Sequence, residues 1–303
     1  MSQPWTPDHP VSPDLARQLV EELMGQRISE IRLLSQGWDN AAYLVDQSLV
    51  FRFPQRELAA GLIENESRVL PIVAGGVQTQ VPNPVWSGHN TSLHPYPFLG
   101  ANLIEGETAC RATEIYGDKL AFQVGRFLRE LHDIPLNDVQ RIWAPRDELR
   151  RADLSVRLPR LFGYLEELTD AGETVPDTID LIEEASEYET RDSDLCWVHG
   201  DLYARHLIVK DGVLSGVIDW GDVHFGDRAI DLSIAYSFFN EEERKSFFES
   251  YGEIDRSLEV RAKIKALHYA GILIPYAKEI KDDALLKAGR KALEFLNENT
   301  PPE

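Results

Sequence analysis

The sequence predicts an α+β protein whose strands gather in the first third and whose helices dominate the rest. Three observations carry that reading. Residues 31–54 hold three short runs rich in branched and aromatic residues, separated by turn residues. Residues 116–132 and several later stretches repeat apolar residues at helical spacing. Within the helical part, residues 196–219 read as short strands joined by a turn that carries the Asp-Gly hairpin signal at Asp211-Gly212. A chain of 303 residues can bury a good core as one or two domains.

Taken in order, Ser12 to Met24 carries Leu15, Leu19, Val20 and Leu23 at helical spacing, with Ser12-Pro13 as cap and first position. A strand at residues 31–34 leads through Ser35-Gln36-Gly37-Trp38-Asp39-Asn40 to a second, Ala41 to Val45, and a third, Leu49 to Pro54. Strand, glycine turn, strand is a shape that can cover phosphates with backbone N–H groups, although one glycine read alone is a common hairpin turn. Leu58 to Ala74 is helical, and Ile63, Val69 and Leu70 place Glu66 near its apolar face. Tyr116 to His132 is an amphipathic helix with Leu120, Val124, Phe127, Leu128 and Leu131 on one face. Residues 137–190 hold helices rich in Asp and Glu, and helices are expected over Asp227–Phe239, Glu241–Tyr251, Leu258–Ile280 and Ala284–Leu296.

The chemistry concentrates between Trp197 and Leu232. His199-Gly200-Asp201 breaks one apolar run, Leu207 to Val209 forms the next, and Val213 to Ile218 ends at Asp219. A hairpin that folds back can bring Asp201 and Asp219 together. Two such carboxylates suit phosphoryl transfer: one accepts the proton of an attacking hydroxyl and the other holds Mg²⁺ against nucleotide phosphates.

This stretch resembles the aminoglycoside phosphotransferase family, which shares the protein-kinase fold. His199-Gly200-Asp201 is similar to its catalytic loop, Ile218-Asp219-Trp220-Gly221-Asp222 to its metal segment, and Gly226-Asp227 through Asp231-Leu232 to the passage that follows. The resemblance implies a two-lobe, protein-kinase-like fold: a small β-rich lobe over residues 1–105 that binds nucleotide, and a larger, mainly helical lobe over residues 106–303 that holds catalysis and substrate. It implies Asp201 as catalytic base, Asp219 as metal ligand, and Gly37, Asn40, Arg52, Glu66, Ala101 and Leu103 as nucleotide-binding residues. Arg52 stands where the family has a lysine, with Glu66 as its helix partner; Ala101 and Leu103 would meet the purine edge through their backbone. His199 and Asp231 would support the loop, His132 would be a core histidine beneath it, and Asp222 would face a cationic substrate or assist the metal. Arg205 is a further candidate charge partner.

Two positions depart from the pattern. Arg52 keeps the positive charge and adds a bidentate fork. His206, five residues after Asp201, stands where the family usually has an asparagine metal ligand, and this replacement resembles the macrolide-phosphotransferase branch. Imidazole is softer than an amide oxygen and suits Mg²⁺ less well, so His206 either ligates the ion or only hydrogen-bonds the loop.

Composition sets the remaining bounds. A net charge of −20 argues against nucleic-acid binding and suits a cationic small-molecule substrate; it equally describes an ordinary acidic surface. Cys110 and Cys196 lack metal-like spacing and read as reduced thiols of a cytoplasmic protein. No signal peptide or membrane span is expected. There is no Walker loop, dinucleotide fingerprint, hydrolase elbow or zinc cluster. The expectation is a kinase, monomeric or dimeric, that uses Mg²⁺ and ATP or GTP to phosphorylate a hydroxyl of a macrolide or aminoglycoside. The alternatives are a kinase of a choline-, homoserine- or sugar-like metabolite, and a catalytically silent nucleotide-binding protein.

Overall fold

The computed structural model describes residues 7–37 and 40–297. The chain divides into two compact units: the first comprises residues up to 75, 80–104 and 219–222, and the second comprises residues 76–79, 105–218 and 223 onward.

In the first unit, α1 (Pro13–Met24) begins at Ser12, whose hydroxyl accepts the Leu15 amide, with Pro13 in the first turn. Five antiparallel strands follow: β1 (Ile31–Gln36), β2 (Asn40–Val45), β3 (Leu49–Pro54), β4 (Pro84–Gly88) and β5 (Phe98–Asn102), in the sheet order β1-β2-β3-β5-β4. The period of two decides what each face does. Phe51 and Phe53 of β3 join Ala41, Tyr43 and Val45 of β2 against Ala16, Leu19 and Val20 of α1 in one buried cluster. Arg52, between the two phenylalanines, points to the other face. There α2 (Glu57–Gly76) buries Ile63, Glu66, Val69 and Leu70. Trp38 and Asp39 of the glycine turn, and the polar amino-terminal residues 1–6, lie outside the described residues.

The second unit contains β6 (Glu107–Thr108), α3 (Gly117–His132), α4 (Asp138–Trp143), α5 (Leu154–Asp170), α6 (Ile179–Ala185), β7 (Leu195–Val198), β8 (Leu207–Lys210), β9 (Val213–Val217), β10 (His224–Asp227), α7 (Ala229–Leu232), α8 (Ile234–Ser237), α9 (Glu241–Tyr251), α10 (Arg256–Ile280) and α11 (Asp283–Asn297). The β8–β9 hairpin turns at Asp211 and Gly212, both with positive φ (51° and 75°), as the Asp-Gly pair predicts. Helices α3 and α9 approach so closely that a Cβ on Gly125 would run into the Phe247 carbonyl.

One expected helix, Asp227–Phe239, is instead the end of a strand followed by two short helices. Phe225 to Asp227 pair antiparallel with Trp197 to Leu195, which holds Asp227 extended. The Asp227 carboxylate accepts hydrogen bonds from Thr190, from Arg261 and from the Ala229 amide, so the helix starts only at Ala229. Arg261 also binds Asp194 at 2.6 Å, and Arg191 binds both Asp194 and Asp255, giving an ionic network, buried at Arg261, Asp194 and Asp227 and half exposed at Arg191 and Asp255, that ties α10 to the segment before β7 and the end of β10.

Candidate active site

In the first unit the middle of β3 presents Arg52 to the buried carboxylate of Glu66. Arg52 Nη1 donates to both Glu66 oxygens, at 2.8 and 2.6 Å, and Nη2 donates to Asp219 Oδ1 at 3.1 Å. Burial pushes the Glu66 carboxyl up, to about 7, against the pull of Arg52; Asp219 and Asp222 add to the upward push. The Arg52 guanidinium is held above its ordinary value: burial works against its charge, but Glu66 and Asp219 outweigh that. Arg52 therefore stays charged and ties two carboxylates together. Asp219 itself is half exposed, and its backbone sits in the left-handed region, φ 66°, which is uncommon for a residue other than glycine. Asp222 lies in the same segment, close enough to Glu66 to act on its charge.

Gly37 donates its amide to the Asn40 carbonyl at 2.9 Å, closing the base of the β1–β2 turn. Ala101 is buried in β5, paired with Val50 and Pro84. The Leu103 amide donates to the Ser48 carbonyl at 2.8 Å.

In the second unit the loop after β7 is held from beneath by one fully buried carboxylate. Asp231 of α7 accepts the His199 amide at 2.7 Å and the Gly200 amide at 2.9 Å, and lies 3.3 Å from His132 Nε2. Burial opposes charge on Asp231, and hydrogen bonds from His132 and the Gly200 amide outweigh it, keeping the carboxyl below its ordinary value. His132 Nδ1 meets the Tyr251 hydroxyl at 2.9 Å, and burial holds its imidazole neutral-leaning, below its usual pKa. Gly200 adopts φ 85°, a left-handed conformation that favours glycine at this loop position.

The histidines fix the loop's other side. His199 Nδ1 accepts the Asp201 amide at 3.3 Å, so its proton sits on Nε2 and is donated to the Ile218 carbonyl at 3.0 Å. His206 Nδ1 donates to the Asp201 carbonyl at 2.8 Å, and its backbone carbonyl accepts the Ile218 amide at 2.9 Å. His206 thus locks the backbone of Asp201, and a metal could meet only its Nε2. The Asp201 carboxylate accepts a hydrogen bond from the hydroxyl of Tyr269, on α10, which sequence reading missed. Arg205 hydrogen-bonds Tyr276 instead of any group of this loop named above.

As donors, the carboxylate oxygens of Asp219 are of the hard type that Mg²⁺ takes, and Mg²⁺ binds through one or two carboxylates plus phosphates rather than a closed protein cage. Among the described residues no group of three or more His, Cys, Asp and Glu side chains is arranged to hold a metal by itself.

An enzyme that moves phosphoryl groups is the class to which these features belong. The family model described as the phosphotransferase enzyme family matches residues 30–267, and the chain belongs to that family. The chain is also similar to solved structures that show the same fold. The GDP complex of wild-type aminoglycoside 2'-phosphotransferase-IIIa is 21% identical, covering 95% of this chain and 99% of that one, with a TM-score of 0.68. The apoenzyme of macrolide 2'-phosphotransferase MphH from Brachybacterium faecium is 18% identical over 96% of this chain and 99% of that one, with a TM-score of 0.61. A macrolide 2'-phosphotransferase type I is 19% identical over 93% and 98%, with a TM-score of 0.59. No helix among the described residues is long and apolar enough to cross a membrane.

Proposed function

We propose that the chain transfers the γ-phosphoryl of ATP or GTP to an alcohol hydroxyl of a small molecule, in the cytoplasm, with Asp201 as the base. The observation that carries this reading is the immobilised loop around Asp201. Asp231 holds two consecutive amides of that loop, and His199 and His206 bind the amide and carbonyl of Asp201 itself. A carboxylate fixed in this way can orient a hydroxyl and accept its proton late in a largely dissociative transfer.

In this reading residues 1–105 form the nucleotide lobe and residues 106–303 the catalytic and substrate lobe. Arg52, oriented by Glu66, meets the donor's phosphates. Gly37 and Asn40 close over them, and the backbone at Ala101 and Leu103 meets the purine. Asp219 is the carboxylate for Mg²⁺, with His206 either a ligand through Nε2 or solely an anchor of the loop. Asp219 would hold Mg²⁺ near the donor, where the ion would supply positive charge against the charge that develops on transfer. Binding of nucleotide is supported by the GDP complex of the similar aminoglycoside phosphotransferase.

For the acceptor, an antibiotic hydroxyl is supported by the aminoglycoside and macrolide phosphotransferases among the similar structures. A metabolite hydroxyl is favoured by a specific observation. The net charge of −20 suits a cationic acceptor, yet Lys265, on which Asp201 is the foremost charge, is also acted on by Arg151 and Arg157, with Asp147 opposing them. Asp201→Ala tests the assignment of the base. Transfer is lost while nucleotide affinity stays near that of the unaltered protein; a variant that retains full turnover would remove Asp201 from the mechanism.

A further inference from the structure

The second unit contains a small cavity lined by Arg151, Arg157, Lys265, His268 and the carboxylate-bearing Asp227, with Leu154 and Ile264 among its apolar walls. It adjoins the Asp201 loop through α10. Lys265 lines the cavity and feels the charge of Asp201, while Tyr269, one turn further along the helix, donates to the Asp201 carboxylate. The Lys265 ammonium lies 4.6 Å over the Tyr269 ring.

Three lining groups have hydrogen-bonding or charge capacity that the protein itself does not use. Among the described residues Lys265 forms no ion pair. Burial lowers its pKa to about 8; Asp201 opposes that shift, and Arg151 and Arg157 reinforce it. Arg157 donates only to the carbonyls of Arg150 and Leu149, and no carboxylate pairs with it among the described residues. Its pKa is lowered by burial and then by Arg160, with Arg151 adding to the effect. His268 is only 2% exposed, and neither ring nitrogen has a hydrogen-bond partner. Buried polar groups are normally satisfied, so an orphaned imidazole beside unpaired cations is a site built for something else. Arg151 is engaged by Asp147 at 3.9 Å and Asp227 is itself a lining residue, so the lining cations with no carboxylate partner among the described residues are Lys265 and Arg157. By contrast Arg261, which also borders the cavity, is spent on Asp194 and Asp227.

We propose that this cavity holds an anionic group of the acceptor, a carboxylate or a phosphoryl group, so that a hydroxyl on the same molecule is presented to Asp201. The inference rests on the phosphotransferase reading of Asp201 and names the acceptor class for it: hydroxylated small anions, not polycations. In the reaction the acceptor hydroxyl oxygen bonds to the γ-phosphorus of the donor. The bond from that phosphorus to the β–γ bridging oxygen breaks, the hydroxyl proton passes to Asp201, and the nucleoside diphosphate leaves. Lys265 and Arg157 take no part in these bonds. They hold the anion and set the acceptor's orientation.

The test uses the full chain with isotopically labelled lysine and histidine, followed by NMR while malonate, inorganic phosphate or a polyamine is added. Saturable shifts at Lys265 and His268 with malonate or phosphate, and a rise of the Lys265 pKa from about 8, are expected; the polyamine leaves both unchanged. A response to malonate assigns a carboxylate and a response to phosphate assigns a phosphoryl group. Lys265→Met should weaken the response about tenfold or more, and Lys265→Arg should restore most of it. Circular dichroism of both variants guards against a folding defect, and Arg157→Met is the second probe should either unfold. In parallel, glycerate, glycerol phosphate and glycerol serve as acceptors that differ only in their anionic group. Preferred transfer to one of the two anions, with a raised KM in Lys265→Met, is expected.

Absence of any shift with both anions, or a Lys265→Met response equal to that of the unaltered protein, would overturn the site. Transfer to cationic acceptors without an anion response would overturn it too, and leave the phosphotransferase reading intact. An anion response without transfer to any acceptor would do the reverse.

Discussion

Asp231→Asn is the substitution that weighs most directly on the loop around Asp201. The asparagine is nearly isosteric, so packing of α7 is preserved and the effect falls on hydrogen bonds. Asp231 accepts two backbone amides, at 2.7 and 2.9 Å, in a fully buried position. Asparagine has one acceptor oxygen, so its NH₂ must face the second amide, donor against donor. A hydrogen bond to a charged acceptor is worth about 1.5–3 kcal/mol, and a buried N–H left unpaired costs about 1–3 kcal/mol. The His132 contact at 3.3 Å also loses its anionic partner. A loss of about 3 kcal/mol follows for the folded loop, on the order of a hundredfold in its population. The assay pairs urea unfolding with steady-state turnover and nucleotide affinity. The variant should unfold at lower urea, and its turnover should fall far more than its nucleotide affinity. Unchanged urea resistance together with unchanged turnover would refute the reasoning, because it would mean that the two amides do not depend on this carboxylate.

Two further outcomes follow from the electrostatics of the second unit. Arg261→Met leaves Asp227 and Asp194 buried with one fewer cation, and should lower stability by about 3–5 kcal/mol in urea unfolding. A loss of under about 1 kcal/mol would show that the network is not fully desolvated. Glu173 is held by Arg290 and Lys278, and hydrogen bonds, foremost from Arg290, bring its carboxyl down to about 2 from an ordinary 4.5. Its folded pKa is depressed, so its contribution is present above 4.5 and is lost as the pH falls toward 2. Glu173→Gln should therefore melt lower than the unaltered protein at neutral pH, with the gap closing through that acidic window; a gap independent of pH would reject the ion-pair account.

How much of this was legible beforehand depends on whether the signal was local. The Asp211-Gly212 turn, the Ser12 cap and the alternation of Phe51, Arg52 and Phe53 are written in neighbouring residues, and the structure follows them. The resemblance in residues 199–232 brought the family, and the family model agrees. Contacts made over long sequence separations were hidden. Tyr269 reaches Asp201 across 68 positions, and Arg261 reaches Asp194 across 67. Nothing in the spacing of α10 marks Lys265, His268 and Tyr269 as more than residues on a long helix. The break in the expected Asp227–Phe239 helix escaped for the same reason, since the extended state of Asp227 is imposed by β7 pairing rather than by its own neighbours. The helical periodicity there is real, but it begins only once that pairing ends.

Phosphoryl transfer by the purified chain is the most direct measurement. Mg²⁺ is supplied with ATP or GTP in separate reactions, against macrolides, aminoglycosides, hydroxylated metabolites and their anionic counterparts, with Asp201→Ala alongside. The account predicts stoichiometric nucleoside diphosphate and phosphorylated acceptor from the unaltered protein, and none from the variant despite bound nucleotide. Nucleotide binding with no transfer to any acceptor class, or equal transfer by the variant, would contradict it.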